Sequence, residues 1–212
     1  MCWSATADLV AGGAVAAIGV ACVARARRAR DLPLAALPLL LGAHQIIESA
    51  VWHADGGSGP ATVAWAVIAL PLLPLWVPLG VLCAAPAHAR RRLAVPLAFG
   101  AATSAFLAYA LATRTVTAQV RGHTLGYALD LPHPPLLVAG YLLATIGSLL
   151  LSGDRGLVLL GVLVAGGAVV CAALWRLEFI STWCALAAVC SVVLLGWSGR
   201  PRAAGPRPAE GG

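Results

Sequence analysis

Runs of mostly apolar residues follow one another along the chain, and this repetition limits the fold more than any other feature of the sequence. About 20 such residues, wound as an α-helix, cross the roughly 30 Å hydrocarbon core of a bilayer. The chain is 60% hydrophobic and only 10% charged, whereas soluble domains are roughly 25% charged. The sequence therefore predicts an all-α integral membrane protein, a bundle of seven transmembrane helices over residues 5–24, 33–53, 60–85, 93–113, 133–151, 155–174 and 179–197.

Little of the chain lies outside these runs. Residues 1–198 are predicted to form one transmembrane domain. Residues 199–212 are rich in Pro, Gly and Arg, and a segment of this composition does not bury enough apolar surface to order itself. We expect this tail to be disordered and cytoplasmic.

The arginines predict the orientation. All 14 basic residues are arginines, and cytoplasmic loops carry an excess of them. Only Arg114, Arg121 and Arg176 fall on the side predicted to be outside. The N-terminus is therefore predicted outside and the C-terminus in the cytoplasm, because eleven arginines fall on the other side: Arg25, Arg27, Arg28, Arg30, Arg90, Arg91, Arg92, Arg155, Arg200, Arg202 and Arg207.

The net charge of +6 is explained by this topology, and no nucleic-acid partner is predicted. A composition with arginine but no lysine, and with much Ala and Gly, is typical of bacterial genomes with a high GC content. The sequence thus predicts a multi-pass protein of a bacterial cell membrane, with the lipid bilayer as its first partner.

The second run contains polar residues that are energetically unfavourable inside a membrane, in the stretch "GAHQIIESAVWH". At 100° per residue, His44, Gln45, Glu48 and Trp52 fall within an arc of about 100°, whereas His53 points the other way. Glu48 precedes His53 by five residues, so it lies roughly 7 to 8 Å below the outer interface. Ionisable side chains at this depth normally face the bundle interior and have a partner. His44 and Glu48, four residues apart, are predicted as one such pair.

The outer ends of the first and last runs add polar residues at a similar depth. Ser4 and Asp8 share one helical face, where they are also suited to cap the first helix. Spans one and seven become neighbours if the seven helices close into a ring. The predicted ligand-binding cluster is therefore Ser4, Asp8, His44, Gln45, Glu48, Trp52, Ser181 and Trp183.

The longest connection, residues 114–132, is predicted to lie outside. Polar and apolar residues alternate from Thr115 to Val120, "RGH" follows as a turn, and "TLGYALD" continues as a second strand. This pattern predicts a short β-hairpin. A loop of this length in a compact protein is usually functional, so we expect a lid that brings further candidate residues to the outer mouth: His123, Tyr127, Asp130 and His133.

The third run contains Pro71, Pro74 and Pro78. Proline removes a helical hydrogen bond. The cytoplasmic half of this span is therefore predicted to be irregular and to pack against neighbours that satisfy the freed carbonyls.

Cys2 and Cys184 both fall at the outer ends of helices predicted to touch. Two interpretations stay open, a disulfide between them or a pair of thiolates that bind a metal together with His44 or Glu48. Both require Cα atoms within about 7 Å or slightly more.

Three segments, "MCWSATA", "HQIIESAVW" and "STWCALAA", together resemble an uncharacterised family of bacterial multipass membrane proteins. Its members begin with Met-Cys-aromatic-Ser-Ala, carry Gln-x-x-Glu in the second span and open the last span with Trp-Cys. The resemblance implies the fold but no activity. It also implies that the matching residues matter, namely Cys2, Ser4, Gln45, Glu48, Trp183 and Cys184.

The chain is also similar, at the level of the fold, to seven-helix zinc hydrolases of the alkaline ceramidase and adiponectin-receptor kind. Such proteins hold zinc with histidines, Ser and Asp, and Ser4, His44, Asp130 and His133 are present here. The H-x-x-x-H pair of a late helix is missing, because spans six and seven contain no histidine. The match therefore stops at the fold.

Three functions remain open from the sequence. In the first, a polar cavity of the outer leaflet, centred on His44 and Glu48, binds a small molecule or lipid. In the second, the same cluster forms a metal-dependent, hydrolase-like enzyme with zinc or another first-row metal held by Cys2, His44, Glu48 and Cys184. In the third, the protein is structural, and its polar residues hold the helices together.

Overall fold

The computed structural model describes residues 4–174 and 179–200, with side chains except at residues 171–174 and 179–185. Within these ranges the chain is mostly helical, with one small sheet. We label the helices α1 Ala5–Arg25, α2 Ala29–His53, α3 Pro60–Ala84, α4 Ala87–Thr113, α5 Pro134–Leu150, α6 Arg155–Leu174 and α7 Phe179–Ser198, and the strands β1 Thr117–Arg121 and β2 Thr124–Ala128.

The helices α1 to α4 are long and apolar enough to cross a membrane, as judged by length and composition. Each predicted helix occurs within a few residues of its predicted bounds, although α2 begins at residue 29 and not 33, and α4 at residue 87 and not 93. The crossing of a membrane by all seven, and their orientation, stay predictions. The predicted tail beyond residue 200 lies outside the described residues.

Local sequence signals set the starts of several helices. Ser4 caps α1 by accepting a hydrogen bond from Ala7 N at 3.2 Å. Asp154 caps α6, because its Oδ1 accepts from Gly156 N at 2.8 Å and from Leu157 N at 3.2 Å. The helices α3 and α5 begin at prolines, whose missing N–H costs nothing in the first turn of a helix.

The helices pack as a closed ring. Each helix contacts the next along the chain, and α7 also contacts α1 and α2. The predicted contact between the first and last helices is confirmed.

Small residues bring α1 and α2 into close contact. A Cβ atom added to Gly42 would lie 2.6 Å from Ala16 N and 2.7 Å from Gly12 O. Packing of this kind, with backbone against backbone, is typical of helices in membranes. Gly13 follows Gly12 in α1 and does not take part in this contact, because a Cβ atom added to it would have no atom of another helix within 4 Å.

The helix α3 is irregular where Pro71 interrupts its hydrogen bonding. Residues Ile68–Leu72 form a π-helical segment in the middle of α3. Tyr141 Oη of α5 donates to Ala69 O at 2.9 Å, and Ser104 Oγ of α4 donates to Pro71 O at 2.6 Å. The predicted satisfaction of carbonyls by neighbouring helices is therefore confirmed. The irregular part is the centre of α3, whereas Pro78 lies within a regular α-helix further on.

The largest apolar core lies at one end of the ring, where the C-terminal ends of α1, α3, α5 and α7 meet the N-terminal ends of the other helices. Its fully buried side chains include Leu93 of α4, Leu160 of α6 and Trp197 of α7. In contrast, each of the seven helices also exposes large apolar side chains on its outer surface. The opposite end of the ring carries the hairpin and the buried acids Asp8 and Glu48.

The predicted hairpin is confirmed. The strands pair antiparallel from Thr117 with Ala128 to Arg121 with Thr124, and Gly122 in the turn has a φ of +61°. The hairpin is also fixed to the loop between α2 and α3, because Gly57 and Ala118 exchange backbone hydrogen bonds of 2.8 and 2.9 Å. It therefore lies against the C-terminal end of α2.

Candidate functional site

Glu48 lies in a buried polar cluster near the C-terminal end of α2. Its exposed fraction is 0%, so the burial predicted from its helical face is confirmed. Tyr127 Oη of β2 donates a hydrogen bond to Glu48 Oε1 at 3.3 Å, across 79 positions of sequence. The hairpin thus supplies a polar partner to a buried carboxyl group on α2.

Asp8 of α1 is the second buried acid of this cluster. Its exposed fraction is 1%, and Trp52 Nε1 of α2 donates to Asp8 Oδ2 at 2.8 Å. Asp8 and Glu48 also interact electrostatically, so two carboxyl groups from neighbouring helices lie near each other at this end of the ring. Asp8 therefore does more than favour the first turn of α1, whereas Ser4 is exposed and serves as the cap of that helix.

An aromatic stack joins the hairpin to α3 and α2. The rings of Trp65 and Tyr127 lie parallel, with centroids 3.5 Å apart and an angle of 3° between their planes. The His44 ring also contacts Trp65, with centroids 4.9 Å apart and an angle of 38° between the ring planes. His44 and Trp65 are both buried, and His44 Nε2 and Trp65 Nε1 have no hydrogen-bond partner within the part of the chain that the structure describes.

Trp65 is a site residue that sequence reasoning missed. It lies in an uninterrupted apolar run, where a tryptophan resembles any other core residue. A depth comparison would have found it, since Trp65 follows the start of α3 by five residues and Glu48 precedes the end of α2 by five. Antiparallel neighbours with these offsets lie at the same level.

A cavity of about 300 Å³ lies beside His44, between α2, α3, α4, α5 and α7. Eleven of the fifteen residues that line it have wholly apolar side chains, and the others are His44, Gln45, Trp65 and Tyr141. The sequence predicts a polar cavity centred on His44 and Glu48. The cavity observed is mainly apolar, with His44 and Gln45 at its polar edge and Glu48 outside its lining.

The remaining predicted residues divide into two groups. His123, Asp130 and His133 are exposed, and Asp130 pairs with Arg114 at 3.1 Å on the surface. Of the outer-loop candidates only Tyr127 reaches the buried cluster. The side chains of Cys2, Ser181, Trp183 and Cys184 lie outside the described residues, so the predicted proximity of the two cysteines stays a prediction.

His44 and Glu48 are the candidate metal ligands whose side chains the structure describes. Among residues 4–170 and 186–200, no three or more His, Cys, Asp or Glu side chains gather closely enough to hold a metal ion. Cys22, Cys83 and Cys190 are free thiols. The proposed zinc ligands Cys2 and Cys184 are not among these residues, so the metal set as a whole stays a prediction.

Comparison with known proteins adds the family. No curated protein and no solved structure matches this chain. The model of a family of unknown function, DUF6629, matches residues 1–209. Because this match covers nearly the whole sequence, including the N-terminal, second-span and last-span segments quoted above, the chain belongs to the family DUF6629.

Proposed function

We propose that the protein is a multi-pass protein of the cell membrane in which all seven helices cross the bilayer. The exposed large apolar side chains on every helix support this, because such surfaces are favourable in lipid and rare on soluble monomers. The helices α6 and α7 have 20 residues each, which corresponds to about 30 Å. The division of the arginines supports an outer N-terminus and a cytoplasmic C-terminus, with the buried polar cluster in the outer leaflet.

We further propose that this membrane protein binds a small, mainly apolar molecule in the cavity beside His44. The cavity itself is the observation that carries the proposal. Its volume of about 300 Å³ is at the lower end of the ~300–1,000 Å³ range of ligand sites, and such sites combine apolar walls with a few polar groups. Its fifteen lining residues have this composition.

The polar edge of the cavity indicates what the ligand carries. A buried ring nitrogen without a hydrogen bond is costly, and native structures pair such groups with protein, water or ligand. His44 lines the cavity, and its Nε2 has no partner among the described residues. We therefore expect the ligand to have one hydrogen-bonding group, held at His44, on an otherwise apolar body.

The ligand enters from the bilayer. Val138 of α5 lines the cavity and is also 55% exposed on the outer surface of the ring. The cavity therefore reaches a surface that faces hydrocarbon when the helices span a membrane. An apolar molecule dissolved in the outer leaflet has direct access to this opening.

Photolabelling tests this proposal. The purified protein in phospholipid nanodiscs is irradiated with 3-azioctanol, a photoreactive eight-carbon alcohol, and the adducts are mapped by mass spectrometry. We expect the adducts to concentrate on cavity-lining residues of α3 and α5. His44→Leu should reduce their yield about threefold, which corresponds to the roughly 0.6 kcal/mol of an average hydrogen bond inside a membrane protein. His53→Leu, a change at an exposed position of the same helix, should have no effect.

Two neighbouring leucines provide a second test. Leu137 lines the cavity, whereas Leu136 is 72% exposed and does not line it. Leu137→Trp should fill the cavity and abolish the specific adducts, and Leu136→Trp should leave them unchanged. Equal labelling of the two variants, or adducts spread evenly over the lipid-facing surface, would refute a binding site at this place.

A further inference from the structure

A second, smaller cavity continues from the first. Its volume is about 80 Å³, and it shares Leu41, Leu73, Tyr141 and Ala187 with the cavity beside His44. Because the same four residues line both spaces, the two cavities lie end to end. They meet at the side chain of Tyr141, which its hydrogen bond to Ala69 O holds in place.

The positions of the lining residues show that the combined space is long. Along α3 the lining runs from Trp65 to Val77, and along α5 it runs from Pro134 to Leu149. These spans of 12 and 15 residues correspond to about 18 and 22 Å of helix. The space therefore extends roughly 20 Å along the helix axes, from the end near the hairpin towards the opposite apolar core.

The polarity of the space changes along its length. His44, Gln45 and Trp65 line only the wide cavity. The narrow cavity is lined mainly by leucines and valines, and the hydroxyl group of its Thr145 already donates to Tyr141 O at 2.8 Å. One end of the space therefore suits a hydrogen-bonding group, and the other end suits hydrocarbon alone.

Two irregular helical segments lie beside the junction. Ile68–Leu72 of α3 and Leu143–Gly147 of α5 are both π-helical and lie next to Tyr141. π-Helical segments occur mostly as local bulges, frequently at functional sites. Two of them, on neighbouring helices, flank the same cavity junction.

We infer that the ligand is a single-chain amphiphile from the bilayer, with its head group at His44 and its hydrocarbon tail extending past Tyr141 into the narrow cavity. This inference rests on the proposed function of the wide cavity. An extended chain advances roughly 1.3 Å per carbon, given C–C bonds of about 1.5 Å, so 20 Å accommodates on the order of 15 carbons. A ligand with two chains does not fit the narrow end.

Competition against 3-azioctanol tests the inference on the unmodified protein. Straight-chain alcohols of 8, 12, 16 and 20 carbons are compared at equal concentration in the nanodisc membrane. We expect competition to strengthen with chain length up to about 16 carbons and then to stop rising. Octanol competition without any dependence on chain length would overturn the inference and leave the proposed function standing, whereas failure of octanol itself to compete would refute the proposed function.

A matched pair of variants on α6 locates the tail. Val164 lines the narrow cavity alone, and Val162 is 54% exposed on the same helix. Val164→Trp should weaken competition by hexadecanol about fivefold, through lost packing contacts of the tail, and leave octanol unchanged. Val162→Trp should change neither. Equal effects of the two variants on hexadecanol would place the tail elsewhere and overturn the inference. If Val164→Trp does not fold, the chain-length series on the unmodified protein tests the inference by itself.

Discussion

Tyr127→Phe tests the attachment of the hairpin to the buried polar cluster around Glu48. The change removes the Oη that donates to Glu48 at 3.3 Å and keeps the ring that stacks on Trp65 at 3.5 Å. Hydrogen bonds between helices in membrane proteins contribute about 0.6 kcal/mol on average and at most about 1.7 kcal/mol. Because Glu48 is completely buried, we expect a loss near the upper part of this range, about 1 to 1.5 kcal/mol in the free energy of unfolding.

Tyr127→Leu separates the hydrogen bond from the stack. It removes both contacts, and an aromatic pair contributes roughly 0.5–1.5 kcal/mol beyond its buried area. We therefore expect a total loss of about 1.5 to 3 kcal/mol, the sum of the contributions of the hydroxyl group and the ring.

The assay is reversible unfolding in mixed micelles with increasing dodecyl sulfate, followed by circular dichroism. Tyr109→Phe is the matched control, because Tyr109 is 66% exposed on α4, and it should change stability by less than about 0.5 kcal/mol. A double-mutant cycle with Glu48→Gln measures the coupling between the two side chains. If Tyr127→Phe behaves as Tyr109→Phe does, or if the cycle gives no coupling, the hydrogen bond does not hold the hairpin.

Three further predictions concern packing, topology and the second acid. Gly42→Ala should destabilise the protein by about 1 to 3 kcal/mol, because its Cβ would lie 2.6 Å from a backbone nitrogen of α1. Gly13→Ala, with open space around its Cβ, is the control, and equal unfolding curves for the two would refute this account. Single cysteines introduced at Gly122 and Arg91 should react with a membrane-impermeant maleimide from outside and from inside respectively, and the reverse pattern would overturn the orientation. Trp52→Phe should cost about 0.6 to 1.7 kcal/mol by removing the 2.8 Å hydrogen bond to the buried acid of α1, and a neutral result in the same unfolding assay would show that this contact contributes nothing.

The sequence predicts the helices and the polar face of α2 because both depend on short-range periodicity. Apolar runs of membrane length determine the helices, and a 100° rotation per residue determines which side chains share a face. Glu48 is buried and His53 is exposed, as this rotation requires. The hairpin is predicted for the same reason, since alternation and a glycine turn are local signals.

The partners of the polar residues are not local, and the sequence does not provide them. Glu48 bonds to Tyr127 across 79 positions, and Asp8 bonds to Trp52 across 44. The spacing within α2 favours His44 as the partner of Glu48, whereas in the structure the His44 ring contacts Trp65 of another helix, tilted by 38°. Which side chains meet depends on how the ring closes, and that depends on close contacts such as the one at Gly42.

The mainly apolar character of the cavity also escapes sequence reasoning. Ionisable residues inside a membrane are energetically costly and normally face the bundle interior or a wet cavity, so a polar cavity is predicted around His44 and Glu48. The structure places the carboxyl group beneath the hairpin and leaves apolar side chains along most of the cavity wall. An empty volume depends on what neighbouring helices fail to fill, and no single segment encodes it.

The π-helical segment Ile68–Leu72 sets the angular phase of α3. A π-bulge is equivalent to one extra residue in an α-helix, and each residue adds about 100° of rotation. The half of α3 that carries Trp65 is therefore turned by about 100° relative to the half that carries Val77. Shortening this segment by one residue would restore a continuous helix and rotate Trp65 away from Tyr127 and His44. A one-residue insertion or deletion at this point would therefore separate Trp65 from Tyr127 and His44 without changing any of the three rings.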